Sequence, residues 1–345
     1  MVSISVNLYG RDLISTQDWS IEEIEETLKL AKELKEKYRK REPLPKLLEG
    51  KSFFAIFYAP STRTRAAFES GASLLGGHGT YIDVSTLRVG FGEAVKDVAK
   101  MYERYGHGMG VRCLDDAIDY KYGLGRATVM EYAKHAEIPV IDMGCCSFHP
   151  TQGMQDLMTV REKLGDIKRK KYVIMWGYAS KLRGLCSIQE EALIMTRFGM
   201  DVVVAHPPGF NIDPEIAKIA KENADRSGGA FEETTDLKSA IEGAHVVFPR
   251  SWASWELLKV GASKFGVEKE IQIHNQYKNW ILTQELTDLM DKKGIVTHVL
   301  PVLRGQEATD EVMDGPRSVI YEQAENGLYV KSAVMAVTMS EQLYR

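Results

Sequence analysis

Short apolar runs bounded by turn residues recur along this chain, and each one precedes a helical pattern. Ser52 to Tyr58, Thr80 to Val84, Gly108 to Arg112 and Pro139 to Met143 are the first four. Strands that all run one way need a crossover between them, usually a helix, so this order implies a parallel sheet covered on both faces. An N-terminal helix precedes the series, with Ser20 and Glu23 as a capping box and Ile21, Ile24, Leu28 and Ala31 along one face. The amphipathic segment Thr151 to Leu164 crosses to a second series, with strands expected at Tyr172 to Trp176, Asp201 to Ala205, His245 to Pro249, Ile295 to His298 and Ser318 to Tyr321. A closing helix, Gln323 to Leu343, has no further strand to serve and returns to the first domain. At 345 residues the chain is long enough for two cores. The expected fold is therefore α/β, with two doubly wound parallel-sheet domains: residues 1–149 plus 323–345, and residues 150–322.

Composition excludes several functional classes. The formal net charge of -4 gives no basic excess for nucleic acid. The longest apolar runs, such as Val202 to Ala205, fall far below the roughly 20 residues of a membrane span, and the N-terminus lacks the regions of a signal peptide. Cys113, Cys145, Cys146 and Cys186 show no metal-ligand spacing and read as reduced thiols of a cytoplasmic protein. No G-x-G-x-x-G turn, G-x-x-x-x-G-K-[ST] loop, H-E-x-x-H helix or G-x-S-x-G elbow occurs, so dinucleotide, P-loop, zinc-protease and hydrolase sites lack support. No metal and no organic cofactor is expected.

Ligands of parallel sheets gather at the carboxyl ends of strands, where the next helix presents free backbone N–H groups. Four strand ends carry polar side chains. At Ala59-Pro60-Ser61-Thr62-Arg63-Thr64-Arg65 a strand stops at proline and a helix starts; its first N–H groups, the hydroxyls of Ser61, Thr62 and Thr64 and one guanidinium suit a phosphate. A serine or threonine here also reads as a plain N-cap, and Arg65 as a solvated side chain. Gly110-Val111-Arg112 brings an arginine to the second strand end, where pairing with a surface carboxylate is the plainer reading. His149-Pro150-Thr151-Gln152 leads into a helix, with His149 facing the mouth of the sheet or serving structure alone. The fourth is His298-Val299-Leu300-Pro301, with Arg304 close behind. Together they describe a metal-free anion site with a histidine, in the cleft between two α/β domains.

In order and spacing, S-T-R-T at 61, G-V-R at 110, H-P-T-Q at 149 and H-V-L-P at 298 resemble the aspartate/ornithine carbamoyltransferase family, over nearly the whole chain. The second half resembles the knotted branch of N-acetylornithine, N-succinylornithine and YgeW-type enzymes through Met175-Trp176-Gly177-Tyr178, Thr196 to Val202, Ser227-Gly228-Gly229, Pro249-Arg250-Ser251-Trp252 and Ala308-Thr309-Asp310. The resemblance implies a homotrimer with active sites shared between subunits, a knotted loop in the second domain, and carbamoyl phosphate and a small amine as substrates. It implies that Ser61, Thr62, Arg63 and Thr64 hold the phosphate, while Arg112, His149 and Gln152 hold the carbamoyl end and the Leu300 carbonyl orients its NH2.

The chemistry agrees with those roles. Attack of a neutral amine on the carbamoyl carbon builds negative charge on the carbonyl oxygen, which Thr64, Arg112 and His149 are suited to stabilise. The resemblance places Arg88, in Ser85 to Gly90, where one subunit reaches a neighbour's site; a solvated loop arginine is the alternative. The same resemblance assigns the acceptor side to Trp176, Arg250, His298 and Arg304, with Arg250 standing where the acetylornithine branch grips a carboxylate with lysine, a role that suits arginine. Two departures bear on the acceptor and on turnover: Val299 stands where many ornithine-type relatives have cysteine, and Gly327 stands in Glu325-Asn326-Gly327 where they have arginine. The second leaves open a carbamoyl-phosphate-binding paralogue without turnover.

Overall fold

The computed structural model describes residues 4–344 and contains two all-parallel sheets. The first is formed by β1 (Ser52–Phe57), β2 (His78–Asp83), β3 (Gly108–Cys113) and β4 (Val140–Cys145), in the order β2-β1-β3-β4. The second is formed by β5 (Lys171–Trp176), β6 (Asp201–Ala205), β7 (Ala230–Thr234), β8 (Val246–Arg250) and β9 (Ile295–Val296), in the order β7-β6-β5-β8-β9. In each sheet the order turns back on itself beside an early strand, which defines a doubly wound layout and a switch point. The two α/β parallel sheets expected from the alternation are present. β4 is buried along its whole length and β5 along all but its first residue, as strands with helices on both faces must be.

The chain divides into two compact units. One comprises residues up to Ala117, Gly123–Gln155 and everything from Ala324; the other comprises Ile118–Tyr122 and Asp156–Gln323. The crossover helix Pro150–Leu164 begins in the first unit and ends in the second, and the closing helix Ile320–Met339 does the reverse. The opening helix, α1 (Ile21–Arg39), starts on the reciprocal Ser20–Glu23 capping box anticipated from sequence. Its far end pins the returning helix inside the first unit: Lys35 Nζ donates to Asn326 Oδ1 at 2.6 Å, and Arg39 pairs with Glu325 at 2.7 Å. A second helix, α2 (Arg63–Leu74), meets the same partner at Gly71, where an added Cβ would lie 2.6 Å from Ser332 Oγ. Glycine thus lets the closing helix approach the C-terminal half of α2 closely.

Three expectations are corrected. Ser318 to Tyr321 is not a strand: only Ser318 makes a bridge, to Val296, and helix begins at Ile320. The β-branched pair there favoured a strand, but the packing of the closing helix overrides local propensity. β9 stops at Val296 rather than His298, because the His298 N–H is taken by the Gln323 side chain at 2.8 Å. β7 was missed altogether, since Ala230-Phe-Glu-Glu-Thr is a largely exposed edge strand whose carboxylates erase the apolar run. Among the described residues, no helix is long and apolar enough to cross a membrane, no acid, histidine or cysteine cluster could hold a metal, and the four cysteines are free and buried.

Candidate active site

The first unit gathers its polar groups where β1, β3 and β4 end. β1 and β3 run in register up to Phe57 opposite Arg112, and Tyr58 N–H donates to the Arg112 carbonyl at 2.8 Å, so the 59–62 turn lies beside Arg112. β3 and β4 then lose register: Val111 pairs with Asp142 but Cys113 with Cys145, leaving Arg112 opposite two residues, Met143 and Gly144. Such a bulge re-aims a side chain and ends regular pairing. Here it lets Arg112 Nη1 donate to the Met143 carbonyl at 3.1 Å. Gly144, at φ +118°, completes the fit: an added Cβ would lie 2.8 Å from Arg112 Nη1 and 3.4 Å from the His149 ring. Glycine at 144 is thus what allows arginine and histidine to share one space.

The loop from Cys145 to Phe148 holds His149 through sulfur as well as backbone. Cys145 Sγ accepts from the Ser147 and Phe148 N–H groups at 3.3 and 3.2 Å, and the Cys145 N–H donates to the Phe148 carbonyl at 2.9 Å. Cys146 Sγ accepts from the N–H groups of Gly123 and Arg126 at the start of the helix Leu124–His135. Its hydrogen bond with the Cys145 thiol, helped by those N–H groups and by Ser147, outweighs burial and brings the Cys146 thiol down to about 6, while burial pushes Cys145 up. His149 ends buried and uncharged. Burial first, then the positive charges of Arg112, Lys331 and Arg63, hold its pKa well below the ordinary histidine value.

The candidate anion end is the N-terminus of α2. Thr62, expected as a possible cap, has helical backbone angles and its side chain makes no cap hydrogen bond. Thr62 therefore does not cap the helix through its side chain, and Ser61 is half-buried, Thr62 exposed and Thr64 buried at the helix start, where first-turn N–H groups lack intrahelical partners. Arg63 contributes the charge felt at His149, whereas Arg65 pairs with Glu69 at 3.1 Å and stacks on the Tyr81 ring. Gln152 is buried in the first turn after His149. Arg88 is exposed on a short 3-10 turn, Arg88–Phe91, reached through a loop that Asp83 ties to Ser85 at 2.6 Å.

In the second unit the four residues expected on the acceptor side all have partners within the protein. Trp176 sits on the central strand of its sheet, is wholly buried among Phe210, His274, Tyr277 and Trp280, and donates from Nε1 to the Trp252 carbonyl at 2.9 Å. It is core, with no face left for a substrate. His298 is also buried: Nδ1 accepts from the Leu300 N–H at 2.8 Å and Nε2 lies 3.5 Å from Glu307. Its work is to hold the turn at Leu300, a left-handed residue at φ +55° ahead of a cis bond to Pro301. Arg304 is matched by Asp310 at 2.8 Å and Asp314 at 2.7 Å. Arg250 donates to the Pro301 carbonyl at 3.0 Å and lies 3.5 Å from Glu307. That guanidinium already faces a carboxylate of the protein, so it braces the Leu300 turn instead of standing open to a ligand.

Sequence reasoning missed the residue that organises this group. Glu307 accepts from Ser251 N–H at 2.8 Å and Leu303 N–H at 2.7 Å, and faces both Arg250 and His298. Burial pushes its carboxyl up, but Arg250, His298 and the Leu303 N–H outweigh burial and bring it down to about 2. No spacing signal could have found it, because Arg250 and Ser251 lie more than fifty residues away in sequence and His298 and Leu303 share no motif with it.

Comparison with known proteins supplies independent findings. Residues 11–162 match the family model for the aspartate/ornithine carbamoyltransferase carbamoyl-P binding domain, and residues 186–338 match the model for its Asp/Orn binding domain. The ornithine carbamoyltransferase of Thermococcus kodakarensis is 36% identical, covering 97% of this chain and 98% of its own. The N-acetylornithine carbamoyltransferase of Xanthomonas axonopodis pv. citri is 33% identical over 96% of this chain and 97% of its own. A crystal structure of acetylornithine transcarbamylase complexed with acetylcitrulline superposes with a TM-score of 0.86 at 31% identity, covering 96% of this chain and 100% of that one.

Proposed function

This chain belongs to the aspartate/ornithine carbamoyltransferase family, and on that premise we propose how its residues transfer a carbamoyl group from carbamoyl phosphate to the amine of an ornithine-like amino acid, an N-acylated relative or a diamine. The observation that carries the mechanism is the uncapped start of α2 beside Arg63, Arg112 and a neutral, buried His149. The phosphate takes the α2 N–H groups, the hydroxyls of Ser61, Thr62 and Thr64, and Arg63. The carbamoyl end takes Thr64, Arg112, His149 and Gln152, with the Leu300 carbonyl accepting from its NH2.

As the amine nitrogen bonds to the carbamoyl carbon, the carbonyl electrons move onto oxygen, where Arg112, Thr64 and His149 donate. The C–O bond to phosphate then breaks, the electron pair leaves with phosphate, and the amine proton passes to the departing phosphate dianion. A neutral imidazole keeps one ring N–H, so His149 with its depressed pKa still has a donor for the oxyanion. In this reading the enzyme is a homotrimer in which the exposed Arg88 of one copy reaches the phosphate of the next. A trimer mass by light scattering is expected, and a monomer would remove the shared site.

The deciding experiment is phosphate release and ureido product formation from carbamoyl phosphate with a panel of ornithine, N-acylated ornithines, short diamino acids and diamines. At least one acceptor should give equal amounts of both products. Stabilisation by carbamoyl phosphate with no ureido product from any acceptor would instead support the binding-only paralogue.

A further inference from the structure

Gly327 has no side chain, and the space beside it is filled by two others. A Cβ built at 327 would lie 2.1 Å from Gln155 Oε1 and 3.2 Å from Lys331 Nζ, and Lys331 Nζ donates to Gln155 Oε1 at 3.2 Å. Residues 327 and 331 are four apart on the closing helix, hence on one face, so the ammonium group reaches back along its helix to the gap that the glycine leaves. Lys331 is only 3% exposed, which is unusual for this residue type unless something holds its charge. Its neighbour Ser332 packs on α2 at Gly71, so the segment carrying the ammonium is fixed against the helix whose start forms the anion end.

The same charge acts on His149, more strongly than Arg63 does and less strongly than Arg112. Its partner Gln155 lies one turn beyond Gln152 on the helix Pro150–Leu164, which starts directly after His149, so the ammonium sits beside the segment that carries the histidine. Three cations acting on one buried ring repel one another, and a bound dianion turns that cost into attraction.

We infer that Lys331 supplies a further cation to the carbamoyl-phosphate site, at the carbamoyl end, made possible by the missing side chain at Gly327 and oriented by Gln155. This rests on the carbamoyl-transfer reading above. A methionine at 331 fills similar volume without charge, so it separates electrostatics from packing.

The test is calorimetric titration of the full chain, at fixed ionic strength, with carbamoyl phosphate and separately with inorganic phosphate. Lys331→Met should weaken carbamoyl phosphate at least 10-fold and inorganic phosphate less than threefold, with kcat for the best acceptor falling about 100-fold. Arg63→Ala should weaken both ligands. Lys331→Arg, which keeps the charge, should restore carbamoyl phosphate affinity to within threefold of wild type. Wild-type affinity in Lys331→Met overturns this inference while leaving carbamoyl transfer intact, and equal losses in Lys331→Met and Lys331→Arg overturn it in favour of packing. A wild-type chain that binds neither ligand overturns the functional reading itself.

Discussion

Arg112→Met should slow ureido formation by roughly 10³-fold, the upper range for removing one donor from an oxyanion site, while the protein still folds. Arg112 stands alone opposite a two-residue bulge, donates to the Met143 carbonyl at 3.1 Å, and shares its space with His149 only because residue 144 is glycine. Methionine keeps an unbranched side chain at 112, so the substitution removes the guanidinium without opening a large cavity. The loss should fall mainly on kcat, because the charge that Arg112 meets develops only as the amine attacks. A second readout follows from the electrostatics. Burial comes first in depressing His149, and Arg112 is the largest of the charges that add to it. Removing Arg112 must therefore move the His149 pKa upward, toward the ordinary value near 6.5, which histidine ring resonances followed through a pH titration would register. Unchanged kcat, or a His149 resonance that does not move, would remove Arg112 from the reacting centre.

How legible these features were depends on whether one segment or several create them. The strands of the first sheet were readable because a parallel strand covered on both faces is a near-continuous apolar run, as in residues 53–57 of β1. The positions of the candidate motifs were readable for a related reason, since the strands were, and Ser61 to Thr64, Arg112 and His149 stand at their carboxyl ends. Edge strand β7 was not, because its exposed carboxylates leave no apolar signal. Ser318 to Tyr321 misled for the opposite reason: a strand-like composition was overruled by the closing helix. The acceptor side was the least legible. Arginine, histidine and tryptophan are plausible ligand groups by type, but what each does depends on its partner, and the partner Glu307 comes from elsewhere in the chain. Lys331 escaped notice similarly, since its meaning arises only once Gly327 and Gln155 are seen beside it.

Glu307→Ala should be the most destabilising of the substitutions considered, by about 3–5 kcal/mol, because it leaves the buried Arg250 charge without its carboxylate. The Arg250 and Glu307 side chains are 10% and 1% exposed, so solvent does little to screen the loss. The N–H groups of Ser251 and Leu303 lose their acceptor as well. Two features separate this role from simple packing. First, the acid limb of stability should change. Glu307 titrates near 2 in the folded chain, below the ordinary glutamate value near 4.3 in an unfolded one. A depressed carboxylate contributes stability above its unfolded value and loses it as pH falls through the folded one, so the contribution, of order 3 kcal/mol, should fade between about pH 4.5 and pH 2. Glu307→Gln should lack that component of the slope, measured by urea unfolding across the acid range. Second, Arg250→Met together with Glu307→Gln should be less destabilised than Glu307→Gln alone, since the double change removes the stranded charge. Because Arg250 and His298 brace the turn at Leu300 through Pro301 and the Leu300 N–H, each of these variants should also lose carbamoyl transfer even where the fold survives. A Glu307→Gln protein with wild-type acid stability and full activity would show that the carboxylate organises neither the unit nor the turn.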